Sequence, residues 1–386
     1  MLKKNVMYVV LALMVIAATI LSACAPSTTP TPTAVVDQAT ATTAAATSDF
    51  AVGIVLPTKD EQRWTQDETR FNDALTAAGY KAQILFSQGD SAKEKANVEA
   101  LISQGVKVLI ICPVDAAAAG AAAEEARAAG IKVISYDRLI TGTDAVDFYV
   151  TFDSVSVGKA QAQYLVDKAT GKGNPLYLYA GAASDNNAFL FFEGSWDVLQ
   201  PKIADGTFVI KNSSEAVAVQ GKTTLTRDEM SKVIGQITTD WKPDVAKNLA
   251  ESNLTVATAA DKGNVFILAP NDDTARAIAD TFAADKDVKS GVVTGQDAAT
   301  ASIQYIIDGK QSMTVFKDVR TLVKDAIAAA VTFLGGNTPA STNTYDNGKI
   351  KVPAAPSVVI TVDASNVKAA LIDSGYYKAS DFTGLK

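Results

Sequence analysis

From residue 48 onward the chain alternates short unbroken apolar runs with longer stretches whose apolar residues recur at helical spacing. The runs are FAVGIVLP, AQILFS, VKVLIICPVD, IKVISYD, DFYVTFD, PLYLYAG, FVIKNS, NVFILAP, GVVTGQD, SMTVFKD and PSVVITVD. They are apolar at consecutive rather than alternate positions, the pattern of strands covered on both faces. The stretches between them read as amphipathic, alanine-rich helices. In DEQRWTQDETRFNDALTAAGY, for example, Trp64, Phe71, Leu75 and Ala78 fall close to one helical face. Gly79, Gly105 and Gly130 each follow such a stretch, where glycine commonly ends a helix. Alternation of this kind predicts an α/β fold with parallel, doubly wound sheets.

Five of the runs precede residue 153 and a second series begins near Pro175, which predicts two α/β lobes of similar build. A chain of 386 residues exceeds what one hydrophobic core ordinarily supports, in agreement with two lobes. No long Pro/Gly stretch separates them, so the boundary is expected to be a crossover rather than a flexible joint.

The first residues follow a different pattern. Lys3 and Lys4 precede the apolar run VMYVVLALMVIAATIL, and LSAC follows at residues 21–24. A basic start, an apolar stretch and a small-residue cleavage site make a secretory signal. As a membrane span the run is at the short end of the roughly 20 residues required. Leu-Ser-Ala-Cys resembles the bacterial lipobox. That implies a signal peptide over residues 1–23, lipidation at Cys24, and an extracytoplasmic protein in the periplasm or on the outer face of the cell membrane. Residues 24–48, mostly Thr, Ala and Pro, carry too little apolar bulk to fold and read as a tether. The second cysteine, Cys112, sits within VKVLIICPVD and reads as a packed core thiol.

Composition narrows the function. The chain holds no histidine, which removes Ser-His-Asp triads, histidine-based zinc sites and the commonest general acid–base group. Carboxylates and lysines remain, so catalysis loses ground without being excluded. Asp and Glu outnumber Lys and Arg, 42 to 35, with no long basic run, which argues against a nucleic-acid partner.

In open α/β sheets, ligands bind beyond the carboxyl ends of the strands. There the chain places Lys59, then Arg63 and Trp64 at the opening of the first helix. Asp137 and Arg138 follow VISY, and Asp185, Asn186 and Asn187 follow LYLYAG. Asn271, Asp272 and Asp273 follow VFILAP, Gln296 and Asp297 end VVTGQD, and Lys317 and Asp318 follow MTVF. About half of these Asp and Asn residues are assignable to helix N-caps. Cations are not, because the helix macrodipole repels them at that end. Arg63, Arg138 and Lys317 therefore indicate a ligand or a pairing role. No Walker motif or dinucleotide fingerprint is present, and carboxylates mixed with arginines do not suit a metal, so neither cofactor nor metal is expected. A neutral, hydroxyl-rich ligand fits better. A sugar hydroxyl sits well between a carboxylate or amide oxygen and an Arg, Lys or Asn donor. The C–H face of a pyranose packs on an aromatic ring, for which Trp64 is the candidate, with plain helix packing as the alternative.

The strings PTKDEQRW, VISYDRLI, FYVTFDSVSVGKAQAQ, SDNNAFLFFEG, GQDAATASIQYIIDGKQSMTVFKD and NGKIKVP resemble the periplasmic xylose-binding and multiple-monosaccharide-binding proteins of ABC sugar importers. The resemblance extends over nearly all of the chain after Ser48. It implies a type I periplasmic binding protein fold, with two Rossmann-like lobes joined by three crossing segments near residues 151–155, 297–301 and 352–358. The first lobe would comprise residues 49–152 and 300–353, and the second 153–299 and 354–386. Carried over by position, the family's ligand contacts fall on Arg63, Trp64, Asp137, Arg138, Asp185, Asn187, Asn271, Asp297 and Lys317. Lys59 matches a lysine of the multiple-sugar relatives. The implied role is not enzymatic. A monomeric receptor would take up an aldopentose or aldohexose, such as xylose, glucose, galactose or arabinose, and deliver it to the permease subunits.

One departure matters. The region of about 215–245, from which relatives supply a second stacking aromatic, offers only Trp241, set among residues that read as helical core. Either Trp241 or a residue near Arg227 closes that wall, or the wall is missing. Two rivals stay open at this level: a secreted glycosidase using two of the carboxylates, and a sugar sensor serving a chemotaxis or signalling partner.

Overall fold

The computed structural model describes residues 51–385; the expected signal peptide, Cys24 and the whole tether of residues 24–48 lie outside the described residues. The described chain opens with five strands separated by helices. These are β1 (Val52–Leu56), α1 (Gln62–Ala77), β2 (Ala82–Phe86), α2 (Ser91–Ser103), β3 (Val108–Ile111), α3 (Ala119–Ala128), β4 (Lys132–Tyr136) and β5 (Phe148–Phe152). A second series follows with α4 (Ser154–Lys168), β6 (Asn174–Leu178), α5 (Asn186–Ala204), β7 (Phe208–Ile210), α6 (Ser214–Val219), α7 (Arg227–Ile237) and α8 (Pro243–Val256). It continues through β8 (Asn264–Leu268), α9 (Asp272–Ala284) and β9 (Ser290–Val293). The last part holds α10 (Thr300–Ile307), β10 (Met313–Phe316), α11 (Val319–Leu334), β11 (Asn343–Asp346), β12 (Lys351–Ser357) and β13 (Ile360–Asp363).

Two parallel sheets result. The first has the order β11-β12-β5-β4-β3-β1-β2, with only the edge strand β11 antiparallel, and the second has the order β7-β6-β8-β9. The unbroken apolar runs are explained by burial on both faces. In β1, Val52, Ile54 and Leu56 face a core shared with Phe71 and Leu75 of α1 and with α11. Val55 faces the opposite core, with Val98 and Leu101 of α2 and Ala122 and Ala126 of α3. The second sheet repeats the arrangement, with Leu176 and Leu178 on one side and Tyr177 and Tyr179 on the other. Cys112 is a free, buried thiol in the first of these cores.

The chain leaves the first sheet after β5, returns between β10 and α11, and leaves again between β12 and β13. This differs from the division expected at residue 300. Residues 300–316 stay with the second sheet: Gln296, just beyond β9, bridges Val315 of β10, and β10 pairs with β13. Ile303 and Ile306 of α10 pack with Val362, Leu371, Tyr376 and Phe382 near the C-terminus. Apolar burial therefore moves that crossing to the turn holding Lys317 and Asp318, after which α11 packs on α1. The run PSVVITVD is likewise not one strand. Its Val358 is exposed, at the crossover between β12 and β13.

Helices α4 and α5 touch backbone to backbone. A methyl group on Gly158 would lie 1.8 Å from the Phe191 carbonyl oxygen, and one on Gly194 would lie 2.0 Å from that of Val155. Ser195 Oγ donates to the Gly158 carbonyl at 3.0 Å, which fixes the register. Gly158→Ala would force these helices apart. A mid-helix Gly→Ala exchange otherwise gains up to about 1 kcal/mol, so a net loss of roughly 2 kcal/mol or more in denaturant unfolding reports the clash. A variant as stable as the parent contradicts this packing.

Candidate functional site

Strand ends from both sheets open onto one cavity. Its lining comes from the start of α1 (Glu61, Arg63, Trp64), the turn after β4 (Asp137, Arg138) and the start of α5 (Asp185, Asn187, Phe191). The loop between α7 and α8 adds Trp241, and Asn271, Gln296, Asp297 and Lys317 complete it. Between these side chains about 20 Å³ admits the centre of a water-sized sphere. The cavity is therefore narrow, well below the roughly 300–1,000 Å³ of typical ligand pockets. Nine of the ten residues singled out from the sequence line it. Lys59 does not: it is exposed, pairs with Glu68 at 3.0 Å and lies over the Phe86 ring.

Asp137 sits at φ 59°, the left-handed region, where Asp is tolerated better than most residues. Its carbonyl oxygen is held by three donors: Tyr149 Oη at 2.8 Å, Thr151 Oγ1 at 2.9 Å and Asn187 Nδ2 at 3.0 Å. The third crosses from the second lobe. The turn aims the Asp137 carboxylate at Arg63 Nη2, 2.8 Å away, while Arg63 Nε donates to Asp67 at 2.7 Å, one helical turn on. Tyr136 Oη in turn donates to Asp67. Burial alone would raise the Asp137 carboxyl, but the charges of Arg63, Lys317 and Arg138 outweigh it and hold it below the usual carboxylate range. Burial wins at Asp67, whose carboxyl is raised despite Arg63.

Arg138 is 7% exposed. Its Nε lies 2.9 Å from Asp185 Oδ2, and Nη1 donates to the Pro113 carbonyl at 3.3 Å. Asp185 is at once the N-cap of α5, since Oδ1 accepts from Asn187 N at 2.9 Å. One carboxylate thus caps a helix with one oxygen and pairs across the lobes with the other. Burial raises its carboxyl against the pull of Arg138. Asn271 caps α9, accepting from Thr274 N and, at 2.6 Å, from Thr274 Oγ1. Lys317 Nζ stands 2.7 Å from Asp297 Oδ1, as a charge pair rather than an aligned hydrogen bond. The guanidinium groups of Arg63 and Arg138 both lie over the Trp64 ring, at 4.9 and 5.2 Å from its centroid.

Trp241 is core, as expected, packing with Val157, Ala188, Met313 and Val315, but it is not helical and it also lines the cavity. Helix α7 ends at Ile237 and α8 begins at Pro243, so Trp241 stands in the loop between them, at φ 61° beside Asp240 at φ 51°. Its indole lies edge-on to Phe191, 6.2 Å between ring centroids, and forms the wall that the sequence left open. Arg227 plays no part in that wall; it stacks on Phe189 and donates to Asn186 Oδ1 at 2.9 Å. The TTDWKP segment carried the signal, because Thr, Asp and a Pro two residues on are turn and helix-start residues. Glu61 and Phe191 were also not singled out, and Gln296 was noted at its strand end but not among the ligand contacts. Glu61 is two residues before Arg63 and Phe191 one turn beyond Asn187, so both positions follow from the helices once these are placed.

The Trp241 ring fits because residue 181 has no side chain. A methyl group there would lie 1.9 Å from indole Cζ2. Gly181→Ala is expected to displace the indole and red-shift the part of the emission spectrum that Trp241→Phe removes. An unchanged emission component would show that the wall tolerates the methyl group.

Chemically, the cavity offers carboxylates beside guanidinium and ammonium donors, and one indole from each lobe. The chain's likeness to known proteins agrees with this geometry. Residues 52–338 match the periplasmic binding protein domain family. The chain is 36% identical to the multiple sugar-binding periplasmic protein SbpA of Azospirillum brasilense, over 86% of this chain and 90% of that one. It is 31% identical to the D-xylose-binding periplasmic protein of Escherichia coli, over 88% and 94%. A carbohydrate transporter solute-binding protein from Chloroflexus aurantiacus, solved in complex with D-glucose, is 75% identical and superposes with a TM-score of 0.86, covering 87% of this chain and 99% of its own. On its sequence, its two parallel sheets and the cavity between their strand ends, the chain belongs to the periplasmic binding protein family.

Proposed function

We propose that the chain is the extracytoplasmic substrate-binding protein of an ABC sugar importer, capturing one neutral aldopentose or aldohexose between its lobes. The observation that carries this reading is the convergence of Asp137–Arg63, Asp185–Arg138 and Asp297–Lys317 pairs with Trp64 and Trp241 on a single small cavity. Such pairs can accept from and donate to the same hydroxyl group, and indoles suit the C–H faces of a pyranose. The sugar found in the 75%-identical relative makes D-glucose the first ligand to test.

Uptake would follow hinge closure, in which a ligand touching both lobes stabilises the closed form over the open one. Contacts between the lobes already surround the cavity. Besides Arg138–Asp185, Ala116 N donates to the Ser184 carbonyl at 2.9 Å. The Gln62 side chain also exchanges two hydrogen bonds with Thr300, each of 3.0 Å. The closed face would then dock on the permease. Cys24 would tether the protein to the membrane through the Thr/Ala/Pro segment.

Calorimetry with D-glucose, D-xylose, D-galactose and L-arabinose is expected to show saturable 1:1 binding of at least one of them; binding of none removes the reading. Asp137→Ala leaves Arg63 short of a buried partner and is expected to cost about 2–4 kcal/mol of affinity, a loss of roughly 30- to 1,000-fold. Affinity within a few-fold of the parent would remove Asp137 from the site. The anchor is tested separately. Cys24→Ser is expected to shift the protein from the detergent phase to the aqueous phase of a cloud-point extraction, and equal partitioning of parent and variant excludes lipidation.

A further inference from the structure

The cavity holds one carboxylate that the contacts above do not use. Glu61 occupies the N-cap position of α1 with an extended backbone, yet its side chain caps nothing. Among the described residues it has no ion-pair partner, and the Trp64 indole N–H lies beside it out of hydrogen-bonding alignment. The three cations of the cavity are already committed: Arg63 to Asp67 and Asp137, Arg138 to Asp185, and Lys317 to Asp297. Glu61 is therefore negative charge in excess of its surroundings.

We infer that Glu61 is a specificity residue that admits uncharged sugars to the cavity and refuses sugar acids. The inference rests on the sugar-binding reading above. A hydroxyl group can donate to the Glu61 carboxylate. A ligand carboxylate would lose its hydration, find every cation already paired and meet a like charge at close range. A hexuronate differs from its parent hexose by that one group, so the pair D-glucose and D-glucuronate isolates the effect.

The surroundings of Glu61 also make the filter sensitive to pH. Burial pushes its carboxyl up to about 7 against the opposing charge of Arg138, with Asp297 and Asp273 raising it further and the Trp64 N–H lowering it. Arg138 faces it from the turn after β4, Asp297 from the segment after β9, and Asp273 from the first turn of α9. Below that pH the group is neutral and its repulsion is gone, while the sugar acid remains ionised.

Calorimetric titration of both sugars into the parent and Glu61→Gln, at about pH 8 and about pH 5.5, tests the inference. The parent at the higher pH is expected to hold D-glucuronate at least about 100-fold more weakly than D-glucose. Glu61→Gln is expected to raise the glucuronate-to-glucose affinity ratio about tenfold or more at the higher pH. Acidification should raise the ratio clearly more in the parent than in the variant. A ratio that moves with neither substitution nor pH, or a parent that holds both sugars equally, overturns the filter while leaving sugar binding intact. Failure of the parent to bind any neutral aldose overturns both. Asp272 and Glu94, with carboxyls raised to about 8 and about 7, titrate in the same range beside Asp297 and Arg138, so loss of the pH response in Glu61→Gln, or in Glu61→Ala should the first variant not fold, assigns it to Glu61.

Discussion

Arg63 brings a full positive charge into a cavity where it is 6% exposed, and much of the site is arranged around that charge. It comes from the first turn of α1, the end of a helix where a cation is least welcome. Asp67, on the same helix face, and Asp137, from the end of β4, bind its two sides, and a third carboxylate, Asp297, lies 3.8 Å away. A buried charge cluster of this kind gains little stability over an apolar core of the same shape, because each ion is stripped of water. What it provides is orientation. Each side chain in the cluster is fixed by its neighbours, and loss of any one leaves an uncompensated charge.

Backbone strain gathers at the same place. Asp137, Trp241 and Asp297 all have positive φ, at 59°, 61° and 98°. Each presents its side chain to the cavity from a turn that a regular strand or helix end would not make, and such conformations persist only where the surroundings hold them. At Asp137 the holding groups are known: two hydroxyls from β5 and the Asn187 amide from α5. At Asp297 the backbone N donates to the Val315 carbonyl, and the adjoining Ala298 carbonyl accepts from Tyr377. Because Asn187 belongs to the second lobe and Asp137 to the first, the geometry of the site depends on the approach of the lobes.

The backbone contact between α4 and α5 serves the same end from further out. Helix α5 carries Asp185, Asn187 and Phe191, and its position is set by glycine faces that leave no room for adjustment. Gly181 does the equivalent for Trp241. Two of the cavity's walls are therefore placed by residues that have no side chain to offer.

Much of this was legible along the chain. Apolar runs on consecutive positions identify parallel strands buried on both faces, because such strands have no solvent side to mark with polar residues. The residues directly after them identify the site, because parallel sheets bring all their carboxyl ends to one edge. The missed elements are those in which local pattern and tertiary role disagree. Strand β11, NTYD, is a polar edge, and β12 carries Pro353 and Pro356, so neither reads as a strand until β5 pairs with β12 and β12 with β11. The choice between cap and ligand contact was open for Asp185 because a carboxylate has two oxygens and can do both. Lys59, chosen by position, turned to Glu68 on the surface. Trp241, read as core, is core on one side and cavity wall on the other, and residues 300–316 were assigned to one lobe and pack in the other. The succession of strands and helices along the chain and the candidate polar residues are local properties, and the chain determined them. Which charge meets which, which lobe a segment joins, and where an indole rests depend on surfaces distant in sequence, and only the tertiary structure decided them.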